Sequence, residues 1–171
     1  MTLYPDDAHW CSRADYAAIL ETAKRVGAKR VLEFGPGTST LALIEAGAEH
    51  IDACEDDEHW YGVYAERLER VYPVVHMRRY EWAPVLKIQG VNNRRYDLAV
   101  IDGPAETRKR GASIVYALAH AGWVLVALEE HDCEPYLRRV VEGFARLFAR
   151  PLEIWQTGPL AGSYALMGPP C

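Results

Sequence analysis

An α/β architecture, a mostly parallel seven-stranded sheet wound on both faces by helices with its last strand antiparallel, is the fold this sequence predicts. Three observations carry it. Five short apolar runs alternate with helical patterns along most of the 171 residues, an order that gives right-handed βαβ crossovers and a sheet covered on both faces. Glycine and proline close these segments at regular intervals. Two final β segments are joined only by "TGPLAG", too short for a crossover helix, so they are expected to pair antiparallel.

The elements follow in order. "RADYAAILETAKRVGA" sets Tyr16, Ile19, Leu20 and Ala23 on one helical face, with Gly27 as its stop. "RVLEF" is the first strand and "STLALIEAG" the helix after it. "HIDACE" is the second strand, followed by the helix "DEHWYGVYAERLERVY", which Pro73 closes. "VVHMRRY" is the third strand, and "EWAPVLKIQGVNN" reads as a loop with a helical turn. "YDLAVID" is the fourth strand, "RKRGASIVYALAHAG" a helix, "GWVLVAL" the fifth strand and "CEPYLRRVVEGFARLFAR" a long helix. "LEIWQ" and "SYALMG" complete the sheet. One domain is expected over 1–171: a lid and helix at 1–27, then a core at 28–171.

Composition removes several classes. Half the residues are apolar and a quarter charged, as in a globular domain rather than a disordered chain. A net charge of −5 gives no reason to expect a nucleic-acid partner. Cys11, Cys54, Cys133 and Cys171 are scattered, without a C-x-x-C pair, which disfavours a disulfide framework or zinc ribbon. "MTLYPDDAHWCSR" has no signal-peptide run, and no stretch reaches the ~18 apolar residues of a membrane span. A cytoplasmic, membrane-free protein is expected.

The stretch that points to chemistry is "VLEFGPGTST". In an open α/β sheet ligands sit beyond the carboxyl ends of the strands. Gly35 and Gly37 lie just past the first strand, where they permit a tight turn and a close ligand approach. Thr38, Ser39 and Thr40 can cap the next helix and hydrogen-bond a polar ligand. The third glycine of G-x-G-x-x-G is absent, and Glu33 would repel a pyrophosphate. A cationic or zwitterionic ligand suits that acid better.

With these residues "VLEFGPGTST" resembles the E/D-x-G-x-G signature of class I S-adenosyl-L-methionine (SAM)-dependent methyltransferases, and the resemblance runs from Arg13 to about Gly168. It implies a Rossmann-like sheet, SAM as cofactor and S-adenosyl-L-homocysteine (SAH) as its product. It further implies that Gly35 and Gly37 form the cofactor loop with Thr38, Ser39 and Thr40, and that Glu33 orients it. Glu55, with Asp56 beside it, would hold the ribose, a carboxylate being able to accept two hydroxyl hydrogen bonds. Tyr80, Glu81 and Trp82 are candidates for the adenine end, and Trp60 for its flank. Asp102 would stand between cofactor and acceptor.

The acceptor is less legible. "YDLAVIDGPAETRKRGASIVYALAHAGWVLVALEEHDCEPYLRRVVEGF" looks like the corresponding part of the glucuronoxylan 4-O-methyltransferase-like family. There an Asp-Gly-Pro precedes an Arg-containing loop, and a His-Asp pair follows the fifth strand. Here Asp102-Gly103-Pro104, Arg108 with Arg110, and His131-Asp132 match, although the chain is shorter and carries Glu129-Glu130 before the pair. An alcohol needs its proton removed as it attacks a methyl carbon. Asp102 and His131 are candidate bases, and Asp132 could orient the imidazole or act itself. Arg108, Lys109 and Arg110 could clamp an acidic small-molecule or saccharide acceptor. Trp10, with His9 and Tyr16, could form a lid over it.

Each of these residues has a plainer use: Asp102 as a loop-ordering acid, His131 as a solvated side chain, the basic run as a helix start. Asp102, Glu129, Glu130, His131 and Asp132 could also assemble a divalent-metal site, but carboxylates crowd such strand ends in any fold of this kind, and no resident metal is expected. The Asn/Asp-Pro-Pro-Phe/Tyr motif of enzymes that methylate nucleic-acid amines is replaced by "IDGPAE". A protein or small-molecule amine stays open as acceptor. So does a non-catalytic binding subunit, since helix faces such as "YLRRVVEGFARLF" suit a homodimer as well as a core.

Overall fold

The structure is a computed structural model and describes residues 13–81, 87–88, 95–103, 109–128, 134–157 and 163–170. Its helices are α1 (Arg13–Val26), α2 (Thr38–Glu45), α3 (Glu58–Tyr64), α4 (Arg110–His120) and α5 (Glu134–Leu147). Its strands are β1 (Arg30–Phe34), β2 (His50–Glu55), β3 (Val75–Glu81), β4 (Lys87–Ile88), β5 (Tyr96–Ile101), β6 (Ala121–Leu128), β7 (Leu152–Gln156) and β8 (Ser163–Met167).

The strands form one sheet in the order β4-β3-β2-β1-β5-β6-β8-β7. The pairs β1/β2, β1/β5, β2/β3 and β5/β6 are parallel. β8 runs antiparallel to both β6 and β7, so β7 shares the direction of the main sheet and the last strand alone of the seven expected is reversed. One expectation needs correction. In the stretch read as a loop with a helical turn, Lys87 and Ile88 form an eighth strand, antiparallel to Glu81 and Tyr80. Half-buried Ile88 packs against the core beneath. A two-residue strand has no periodicity for a sequence reading to detect.

The parallel strands are apolar on both faces because both are covered. Val31, Ile51, Ala53, Leu98, Val100 and Leu125 pack with α1, α2 and α3. Alternate residues, among them Leu32, Phe34, Ala99, Ile101, Val124 and Val126, pack with α4 and α5. On α1, Ile19 and Ala23 are buried as expected, with Tyr16 and Leu20 half-buried beside them. The Tyr16 hydroxyl donates to Glu45 on α2.

Three helices end alike. Ala28 N–H reaches back to Ala23, Ala48 to Leu43 and Arg150 to Ala145, each just after a residue in the left-handed region: Gly27 (φ 65°), Gly47 (φ 89°) and Ala149 (φ 48°). Arg150 then donates to the carbonyls of Leu118, Ala121, Gly122 and Gly168, tying α4, β6 and the end of β8 together.

A buried polar hub lies under β2. Asp52 is fully buried, and its carboxylate accepts from Tyr96 Oη (2.7 Å) and Arg78 Nε (2.8 Å) and lies 3.0 Å from His50 Nε2. The His50 ring lies against that of His76, centroids 4.5 Å apart and planes tilted by 35°. Burial alone would raise the Asp52 carboxyl, but the hydrogen bonds from Tyr96, His50 and Arg78 outweigh it and hold the group below its ordinary value.

Candidate functional site

From β1 the chain crosses to β2 and β3 on one side of the sheet and to β5 and β6 on the other. The carboxyl ends of β1, β2 and β5 therefore surround the point where strand order reverses, which is where open α/β sheets take their ligands. Each of these three ends carries an acid: Glu33, Glu55 and Asp102.

Glu33 is fully buried. Ser39 Oγ donates to its Oε1 (2.6 Å) and Thr40 Oγ1 to its Oε2 (2.8 Å), while Thr40 Oγ1 accepts from Gly37 N–H (3.0 Å). The acid thus ties the loop to the first turn of α2 through these hydroxyls. Burial pushes its carboxyl up to about 8 against the pull of the two hydroxyls, and the charges of Asp102 and Glu55 push the same way. Ser39 and Thr40 are buried and turned inward on Glu33 rather than outward to a ligand, which corrects their expected role. Thr38 differs: its Oγ1 is buried and has no hydrogen-bond partner among the described residues.

Gly35 makes the tight turn expected past β1, and its missing side chain also admits a neighbouring stretch of chain. It has φ +83°, and a Cβ there would lie 2.6 Å from Gly103 N and 2.8 Å from Gly103 Cα. The space that seemed reserved for a ligand is filled by the chain leaving β5. Asp102 N–H and Gly103 N–H both donate to the Phe34 carbonyl (2.9 and 2.7 Å), and Gly35 N–H to that of Cys54 (3.0 Å), so three strand ends are stitched through backbone. Gly103 is a site residue that the Asp-Gly-Pro signal contained but that was read only for its acid.

Glu55 is half-buried, and its Oε1 accepts from the N–H groups of Asp56 (2.9 Å) and Asp57 (3.0 Å). Burial, with the nearby Asp56 charge, raises the carboxyl to about 7. Asp57 caps α3 by accepting from Trp60 N–H (3.0 Å). From α3, Trp60 and Tyr64 stack, centroids 5.8 Å apart and planes 25° apart. Tyr64 was not anticipated. It is 5% exposed, and burial together with the charges of Glu55, Glu33 and Asp102 pushes its phenol up to about 12. The signal for it was its spacing of four from Trp60.

Other candidates fall elsewhere. Tyr80 is 1% exposed and packs edge-to-face on Phe34 (5.5 Å, 86°), so its ring belongs to the core and is not offered as a platform for adenine. Burial raises its phenol, as do the charges of Asp56 and Glu55. Glu81 is exposed at the end of β3. Arg110 is fully buried, donating from Nη1 to the Ala127 carbonyl (3.0 Å) and from Nη2 to that of Asp102 (2.7 Å). It therefore braces the ends of β5 and β6, a correction to the expected acceptor clamp. Trp10, Trp82, Arg108, His131 and Asp132 lie outside the described residues, as do Glu129 and Glu130. Among the described residues no three His, Cys, Asp or Glu side chains are placed to hold a metal ion, and no helix is long and apolar enough to cross a membrane.

No family model matches the chain, and no curated protein matches it either. Solved structures do. An O-methyltransferase from Bacillus cereus, in complex with SAH, superposes with a TM-score of 0.72 at 18% identity over 94% of this chain and 83% of that one. The O-methyltransferase TomG from Streptomyces achromogenes, involved in tomaymycin synthesis and bound to SAM, gives 0.72 at 20% identity, covering 97% and 83%. The SAH-bound methyltransferase PaMTH1 of Podospora anserina gives 0.68 at 16% identity, covering 95% and 80%. The chain has the Rossmann-like fold of class I methyltransferases.

Proposed function

We propose that this protein is a SAM-dependent methyltransferase that transfers a methyl group to an oxygen of a small or saccharide acceptor, an acidic one included. The observation that carries this reading is the convergence of three carboxylates from adjacent strand ends at the switch point, where the charges of Asp102 and Glu55 add to burial in raising Glu33. Burial raises both Glu33 and Glu55, with the charges of Asp102 and Glu55 adding to it at Glu33 and that of Asp56 at Glu55, and a cationic ligand would relieve that cost. The buried, unpartnered hydroxyl of Thr38 at the start of α2 fits a polar end of the same ligand. That solved proteins of this fold carry SAM or SAH supports the choice among cationic ligands.

When bound, SAM supplies an electrophilic methyl group on a positively charged sulfur. In our reading Glu33 holds the loop of Gly35 and Gly37 in shape, and Glu55 accepts hydrogen bonds from the ribose with the oxygen that its own backbone does not occupy, Asp56 lying beside it. Trp60 flanks the adenine, with Glu81 and Trp82 near its edge. Asp102 or His131 takes the acceptor's proton, Asp132 orients the imidazole, and Arg108 and Trp10 hold the acceptor. A base of this kind contributes typically ~10²–10⁴-fold, and alignment of oxygen with methyl can contribute more.

Isothermal calorimetry with SAH tests the cofactor, a low-micromolar to millimolar constant being expected, in the usual range for enzyme ligands. Glu55→Ala should weaken it at least about tenfold. Radiolabelled SAM offered to saccharide, phenolic and amine acceptors tests the nucleophile. Label on an amine alone would move the reading to nitrogen, and the absence of both SAH and SAM binding would leave a non-catalytic subunit.

A further inference from the structure

The β5/β6 ladder stops at Ile101 and Val126, yet the two strands stay joined one residue further on. There the carbonyls of Asp102 and Ala127 accept from Arg110 Nη2 (2.7 Å) and Nη1 (3.0 Å), so one guanidinium stands where a ladder bond would be. Arg110 opens α4 and is fully buried, the largest side chain so enclosed among the described residues. A cation is costly to bury, and a planar guanidinium can meet two carbonyls at once where an ammonium meets them poorly.

The contact reaches beyond these two strands. The peptide between Asp102 and Gly103 is gripped at both ends: its carbonyl by Arg110, its N–H by the Phe34 carbonyl on β1 (2.7 Å). Asp102 N–H donates to that same carbonyl (2.9 Å), so the backbone on either side of the Asp102 side chain is fixed. Gly103 lies against Gly35, where a Cβ on Gly35 would stand 2.8 Å from Gly103 Cα. A line of short contacts thus runs from Arg110 through one peptide to the loop between β1 and α2. Arg150 offers the contrast. It too braces carbonyls, those of Leu118, Ala121, Gly122 and Gly168, but at the opposite end of the sheet, where β6 begins and β8 ends.

We propose that Arg110 is a positioning residue for the cofactor: it locks the Asp102–Gly103 peptide and, through it, the Gly35 loop in the shape that receives SAM. This deepens the cofactor reading of the preceding section and rests on it.

Arg110→Lys keeps the charge and loses the two-carbonyl fork, and Arg150→Lys makes the same change at the far end of the sheet. Both should unfold at lower urea concentration than the wild type. Affinity for SAH by isothermal calorimetry should fall about tenfold in Arg110→Lys, the ordinary worth of one hydrogen bond, and stay at the wild-type value in Arg150→Lys. Wild-type affinity in Arg110→Lys, or an equal loss in both variants, would overturn the assignment and leave the cofactor reading intact. Should Arg110→Lys fail to fold, amide exchange in the wild-type protein decides. On adding SAH the Gly35 and Gly103 amides should slow by a common factor, and by more than Gly122 and Gly168 beside Arg150. Slowing at Gly35 alone, or equal slowing at all four, would overturn the lock. If the wild-type protein binds no SAH, the cofactor reading falls and this inference with it.

Discussion

Glu33 and Asp52 stand on neighbouring strands, are both fully buried, and are held in opposite ways. Asp52 lies opposite Leu32, one position before the partner of Glu33, so strand alternation sends the two carboxylates to opposite faces of the sheet. Asp52 is met by a guanidinium, an imidazole and a phenol, and its carboxyl is held low. Glu33 is met by two neutral hydroxyls and by the fields of two further acids, and its carboxyl is held high. One buried acid is neutralised within the fold. The other is left for something outside it. The difference separates structure from function more sharply than burial does, because an acid left without a cationic partner opposes folding once it ionises and is retained where a ligand can use it.

The comparison can be broken most forcefully at Asp52. Asp52→Ala would leave Arg78 and His50 facing an apolar interior, a loss of about 4 kcal/mol by urea unfolding at neutral pH. Because its folded carboxyl is depressed, the stability it contributes is present above its ordinary value of 3.8 and disappears as pH falls below that. A loss under about 1 kcal/mol would mean that the hub does not need its acid.

Glu33 should behave with the reverse sign. A raised carboxyl contributes stability that is fully present below its ordinary value of 4.5 and is lost as pH rises through about 8. The ligand-free protein should therefore weaken by roughly 3 kcal/mol between mildly acid and mildly alkaline conditions. Glu55 adds to the same slope, since burial raises it too. Glu33→Gln should flatten the profile by the larger share, so parallel wild-type and variant curves would sink the argument.

Two smaller changes sharpen it. Tyr96→Phe removes one donor from Asp52; about 1 kcal/mol of stability should go, and acid unfolding should begin at higher pH. Ser39→Ala removes one donor from Glu33. Its cost at neutral pH should stay under about 1 kcal/mol, and the pH at which the ligand-free protein weakens should move upward. Denaturant titrations across pH would read both.

Sequence pattern made the seven main strands legible because each is an apolar run between turn residues, and their observed ends differ by no more than a residue or so from that reading. The acids at the ends of β1, β2 and β5 were legible for the same reason, as polar residues terminating buried runs. Which way a side chain turns was not. Ser39 and Thr40 follow the glycines as ligand-binding hydroxyls would, but the burial of Glu33 decides that they face inward. Two of the partners of Asp52, Arg78 and Tyr96, come from 26 and 44 residues away, and His50 alone within "HIDACE" does not distinguish that acid from a solvated one. Arg110 read as part of an acceptor clamp because it sits in a basic run, and nothing in that run marks the one guanidinium aimed at two carbonyls.

The contact between Gly35 and Gly103 leaves no slack where β1 and β5 emerge. A shift of either turn must be matched by the other, so the two sides of the cleft move as one piece instead of as separate flaps. Anyone grafting a new recognition loop onto this scaffold would have to begin after Gly103, because an alteration upstream would warp both halves at once.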